Sequence, residues 1–258
     1  MKRKNRLMSF ILSVLMVFLL LPGNLIALHV SADWIRETTR NICYTFQPYA
    51  IRPVIDGTLD PNGYIRLDVQ PGNLSYVYDD TSTENLNFDV YASYDEDYIY
   101  LFVSTDDRYY HNDKTSSDAG DMWNQSCIQV GFAKLWDTGN QRLEYGIGRN
   151  SGTDELLFNC WSSDNYAVDL TANIDYAITV AGGKINYEVR TPVESFLGPG
   201  RKLYANTPFR FSLVMSEGQD NIITHTQIAS GTTGNGKKAE YFAMVNVVSF
   251  SVEPVTNL

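Results

Sequence analysis

The sequence predicts an all-β fold: an antiparallel β-sandwich of the jelly-roll or immunoglobulin-like kind, preceded by a cleaved signal peptide. Three observations predict it. The 258 residues include 17 Tyr and 12 Phe beside abundant Val, Ile and Thr, residue types that suit a pleated, half-buried surface. Turn-forming Gly, Pro, Asn and Asp interrupt the apolar runs about every 8–15 positions, the spacing of short sandwich strands. Beyond the N-terminal segment only Pro192–Leu197 has a helical cast, with Pro at its first turn and Gly198-Pro199-Gly200 to end it.

The N-terminal segment reads as an export signal. Lys2, Arg3, Lys4 and Arg6 precede an apolar run, Leu7–Leu21, which Pro22-Gly23 breaks; Val30-Ser31-Ala32 then offers a small-x-small cleavage site. The run has 15 residues, short of the roughly 20 that span a bilayer as a helix. Residues 1–32 are expected to be the signal peptide, 33–50 an N-terminal tether and 51–258 one sandwich domain. Cleavage after Ala32 gives a secreted or cell-surface protein with no membrane contact of its own.

Strands follow in order. Phe88–Tyr94 and Tyr98–Ser104 flank an Asp95-Glu96-Asp97 turn and read as a hairpin. Ile99, Leu101 and Val103 share one face of the second strand, and Tyr98, Tyr100 and Phe102 the other, so this strand is expected to be central and covered on both sides. Further strands are expected at Ser126–Phe132, Glu144–Gly148, Leu156–Trp161, Ile174–Val180, Lys184–Arg190, Phe209–Met215, Asn221–Ile228 and Tyr241–Val248. Ala181-Gly182-Gly183 makes a tight turn. Ile99, Leu101, Val103, Ile128, Val130, Ile178, Phe211 and Leu213 are the expected core.

The charge balance narrows the partners. The chain carries a net charge of −10; without Lys2, Arg3, Lys4 and Arg6, 16 basic residues face 30 acidic ones, a net of −14. Such a surface repels phosphate backbones, which proteins bind by displacing counterions with cations. Nucleic acid is therefore not an expected partner, whereas neutral ligands and divalent cations are compatible. The three cysteines, Cys43, Cys127 and Cys160, match no zinc spacing; they read as small buried residues or as one Cys127–Cys160 bridge with a thiol left over. No nucleophile elbow and no phosphate-cradling glycine loop is present. Carboxylate pairs for sugar hydrolysis have a spacing that sequence does not reveal, and no catalytic residue is assigned.

Four segments in order carry a resemblance. Pro53-Val-Ile-Asp-Gly-Thr-Leu-Asp60, Tyr94–Asp107, Met122-Trp-Asn-Gln-Ser-Cys-Ile-Gln-Val-Gly131 and Gly236-Lys-Lys-Ala-Glu-Tyr-Phe242 are similar to the opening strand, central hairpin, Trp-x-x-Asp-x-x-Glu strand and closing strand of family-9 carbohydrate-binding modules. The resemblance implies a non-catalytic sandwich that binds glucan or xylan, or their chain ends, in the service of polysaccharide breakdown, and commonly holds calcium. It places Trp123 at a sugar-stacking position. The family's Asp and Glu fall on Ser126 and Gln129, and its second tryptophan is missing before Phe242. Gln129, Tyr145 and Trp161 complete the candidate ligand site, with Trp136 a rim or core residue. Asp106, Asp107 and Asp121, in a loop that also holds Asp113 and Asp118, are the candidate calcium ligands, since hard cations need several converging oxygens. Two alternatives stand beside this reading. One is a cytochrome-type relative holding haem through His111, His225, Met122 or Met215. The other is a surface adhesion or structural domain that has lost its sugar.

Overall fold

The computed structural model describes residues 42–69, 75–78, 87–107, 110–163, 169–219, 222–229, 231–232 and 237–249; the proposed signal segment lies outside them. Thirteen strands are described, all within the unit Thr39–Leu258. In chain order they are β1 (Cys43–Phe46), β2 (Ile65–Arg66), β3 (Ser75–Tyr78), β4 (Phe88–Tyr94), β5 (Tyr98–Thr105), β6 (Cys127–Lys134), β7 (Leu143–Arg149), β8 (Leu156–Ser163), β9 (Asp175–Ala181), β10 (Lys184–Pro192), β11 (Phe209–Gln219), β12 (Ile222–Gln227) and β13 (Ala243–Val247).

They form two sheets. The larger has eight strands in the order β1-β13-β11-β6-β7-β8, with β12 pairing β11 and β3 pairing β12; the smaller has five, β2-β4-β5-β10-β9. Every strand pair is antiparallel except β1 with β13. The inner faces share one core, and all eight residues expected there lie in it. Period-two alternation makes this possible: along β6, Ile128, Val130 and Phe132 point inward, and along β7 Leu143, Tyr145 and Ile147 do the same. The β9–β10 hairpin closes on Gly182 and Gly183, both with positive φ (62° and 78°), the backbone that a two-residue type I′ turn requires.

The central hairpin behaves as its sequence predicts. Tyr100 and Phe102 on the outer face of β5 are as buried as Leu101 on the inner one, because Tyr49, Ile55, Leu59 and Tyr64 fold over them. That cover is tied down through Glu188 of β10. Its Oε2 accepts from the backbone N–H groups of Asp56 (2.8 Å) and Gly57 (2.7 Å), and its Oε1 accepts from Tyr64 Oη (2.6 Å). The Ile55-Asp56-Gly57 motif thus exists to dock on a buried carboxylate.

Two expectations are corrected. The tether does not extend to residue 50: Cys43–Phe46 is a strand, with Tyr44 and Phe46 alternating into the core and Cys43 and Thr45 facing out. Four residues are too few for periodicity to stand out in sequence, and the parallel partner lies about 200 positions away. Nor do Cys127 and Cys160 pair. Both are free thiols, on opposite faces of the large sheet: Cys127 packs with Met122 and Leu157, while Cys160 packs against the main core.

Candidate functional site

The outer face of the large sheet is the opposite of an ordinary solvent face. Gln129, Glu144, Arg142, Ser212, Ser216, His225, Gln227 and Thr232 are polar or charged, yet all are buried. Burial of so many hydrogen-bonding groups is costly unless they are paired; here Gln129, Ser216 and His225 bond in series, Arg142 bonds Glu144, and Ser212 Oγ donates to the Ala229 carbonyl (2.9 Å).

Strand register fixes their arrangement. Gln129 of β6 stands opposite Gly146 of β7 on one side and Val214 of β11 on the other. Its Nε2 donates to Ser216 Oγ (3.3 Å), and Ser216 Oγ bonds His225 Nδ1 (2.8 Å) on β12. The Trp123 indole stacks on the His225 ring, with centroids 6.3 Å apart and planes 26° from parallel. Trp123 is half-buried and sits in a 3-10 turn, Ala119–Asn124, laid across this face. Burial, with the nearby Lys237 ammonium, lowers the pKa of His225 to about 4, so the ring is neutral near pH 7.

The opposite wall is Trp161 of β8. A register shift between Glu144 and Tyr145 turns it onto this face. Its Nε1 donates to the carbonyl of Gly120 (2.8 Å) in the same 3-10 turn, and its six-membered ring lies on Gly146. A Cβ at residue 146 would stand 2.5 Å from Trp161 Cη2, closer than any real contact, so the glycine makes room for the indole. Phe242 covers Gly131 in the same way, with its Cζ 2.6 Å from where a Cβ would be.

Glu144 stands two residues along β7 from Gly146, opposite Gly131 of β6. Its Oε2 accepts from Arg142 Nε (2.7 Å) and Nη2 (2.6 Å), and its Oε1 accepts from Lys237 Nζ (2.5 Å). Lys237 Nζ also stands 6.0 Å from the centroid of the Trp161 ring. The result is a polar floor of amide, hydroxyl and neutral imidazole, flanked by two tryptophans and ended by an ion cluster. Such a surface can stack on an apolar ring face and hydrogen-bond hydroxyls around it.

The structure brings Trp123, Gln129 and Trp161 to this face, and it does not bring Tyr145. Tyr145 is fully buried on the core side, its Oη bonded to Thr191 Oγ1 (2.6 Å). The parity of β7 explains the correction, for Leu143, Tyr145 and Ile147 alternate with Glu144, Gly146 and Gly148. The same parity could have found Glu144, which the sequence reading missed along with Arg142, Ser216 and Lys237. Trp136 is 70% exposed, in the turn after β6 and outside the site.

The candidate calcium ligands do not converge. Asp106 is exposed and ion-paired with Lys184 (3.1 Å), Asp107 is buried, and Asp121 lies exposed in the 3-10 turn. Asp118 is spent on Thr115. Among the described residues no three His, Cys, Asp or Glu side chains gather into a metal-ligand set. Of the haem candidates, Met215 points into the core and His225 to the opposite face of the sheet, so these two do not pair.

No family model and no curated protein sequence matches the chain. Solved structures do match in fold. A family-9 carbohydrate-binding module from Caldicellulosiruptor kristjanssonii in complex with cellotriose is 14% identical, with 83% of this chain and 98% of that one covered and a TM-score of 0.57. The module from the same organism in complex with glucose is also 14% identical, with 81% and 97% covered and a TM-score of 0.58. The chain has the fold of that family.

Proposed function

We propose that this chain is an exported, non-catalytic carbohydrate-binding domain, and that the buried polar face between Trp123 and Trp161 holds a sugar. The observation that carries the reading is Gln129 with its Ser216–His225 relay, enclosed by two indoles on a fold whose solved relatives are complexes with cellotriose and glucose. Pyranose rings offer apolar C–H faces and a rim of hydroxyls. The tryptophans suit the first, and the neutral amide and imidazole suit the second. A glucan or xylan chain, or its end, is the ligand class, and service beside polysaccharide-degrading enzymes is the role.

The export signal Met1–Ala32 and the acidic balance of the remainder support action outside the cell on a neutral polymer. Trp123→Ala tests the site. Retention on cellulose and xylan affinity gels and the calorimetric affinity for cellotriose should fall at least about tenfold, as loss of a stacking face implies. Stability should fall by no more than about 2 kcal/mol, because the ring is half-buried, against about 3–5 for a fully buried Trp. A variant destabilised by the larger amount, yet binding as before, would sink the assignment.

A further inference from the structure

Resting on the carbohydrate reading above, we propose that the cleft prefers an acidic sugar, a hexuronate residue, and that Lys237 takes its carboxylate. The ion cluster at the end of the cleft does not balance. One carboxylate, Glu144, serves two cations, Arg142 and Lys237. The Arg142 guanidinium also donates from Nη1 to the neutral Asn140 Oδ1 (3.2 Å). Among the described residues no second carboxylate bonds either cation. The other groups lining the floor, Gln129, Ser216 and His225, are uncharged. The cleft therefore holds one surplus positive charge in a chain whose net charge is −10.

The geometry says which cation is open to a ligand. Arg142 is 7% exposed and consumed by Glu144 on two of its nitrogens, whereas Lys237 is 37% exposed and spends one of its three N–H groups on Glu144. Its ammonium stands over Trp161, so a sugar seated against that wall brings an exocyclic carboxylate to Nζ. A neutral sugar lying on Lys237 would strip water from an ammonium and return no charge. A uronate returns a charge-assisted hydrogen bond, roughly twice as strong as a neutral one.

The test uses the full chain with two trisaccharides, cellotriose and its counterpart oxidised at C6 to the uronate, titrated by calorimetry at low salt and near 0.15 M. The uronate is expected to bind about tenfold tighter or more, with an advantage that shrinks as salt rises. In Lys237→Met the ratio of the two affinities should fall to about one, and in Lys237→Arg it should survive; thermal unfolding of both variants confirms that they fold. Equal affinities in the unsubstituted chain, or tighter binding of cellotriose, would overturn this inference and leave the carbohydrate reading standing. Persistence of the ratio in Lys237→Met would remove Lys237 from it. Failure of both trisaccharides and of the polysaccharide gels to bind would overturn both readings together.

Discussion

Glu188 and Glu144 are both fully buried carboxylates on outer sheet faces, yet they have opposite kinds of partner. Glu188 accepts from two backbone N–H groups and a tyrosine, all from the segment it anchors. Among the described residues Glu144 accepts from two long cationic side chains, one of them partly open to solvent. The first arrangement shuts the small sheet under its cover and uses the carboxylate completely. The second leaves charge and hydrogen-bonding capacity at the partly exposed Lys237. A buried acid held by backbone is fixed in place; one held by long side chains leaves those side chains free to move.

The largest expected effect breaks the first arrangement. Glu188→Ala leaves three donors without an acceptor, and each orphaned group costs about 1–3 kcal/mol. Unfolding by urea should show a loss of about 4 kcal/mol, while the folded fraction keeps its affinity for polysaccharide. A loss below about 1 kcal/mol would show that the cover does not depend on this anchor.

The two regions should also answer pH in opposite senses. His225 titrates at about 4 in the folded chain against an ordinary 6.5, so between those values the unfolded chain binds a proton that the folded one refuses. Its contribution is full above about pH 6.5 and is lost as pH falls toward 4, by about 3 kcal/mol in all. Burial pushes the Glu188 carboxyl above its ordinary 4.5 despite its donors. Acidification through that group therefore favours the folded chain. His225→Gln should flatten the stability profile between pH 4 and 6.5, and an unchanged slope would place the titrating group elsewhere.

Gly146→Ala sharpens the comparison from the cleft side. The added methyl meets the Trp161 ring and displaces it, at a cost of about 2 kcal/mol for overpacking, and affinity for cellotriose should fall with it. Retained affinity would show that Trp161 is not a wall of the site. Smallest of all, Asp106→Ala should alter stability by less than about 0.5 kcal/mol, since its exposed ion pair with Lys184 is worth little. A larger loss would give this aspartate a role beyond its ion pair with Lys184.

Much of this was readable from the chain. The hairpin Phe88–Thr105, the Gly182-Gly183 turn and the eight core residues follow from alternation and turn chemistry, which are local. The site was half legible. Trp123 and Gln129 came from a motif, and Glu144 was available from the parity that puts Tyr145 in the core. Lys237 was not available, because no local rule brings a residue after β12 onto a carboxylate 93 positions earlier. Strand β1 was hidden for the same reason, since its pairing with β13 is the longest-range in the fold.

That last pairing has a consequence for how the domain bears load. Strands β1 and β13 run parallel, joined by bonds such as Met244 N–H to the Ile42 carbonyl (3.0 Å) and Val248 N–H to the Phe46 carbonyl (3.0 Å). The chain enters this pair at the Cys43 end and leaves it at the Val247 end. Tension applied through the two ends of the domain therefore slides the strands past each other, straining all their hydrogen bonds at once rather than peeling them one after another. A domain loaded through both of its chain ends would resist as a shear joint, which is the stronger way to be pulled.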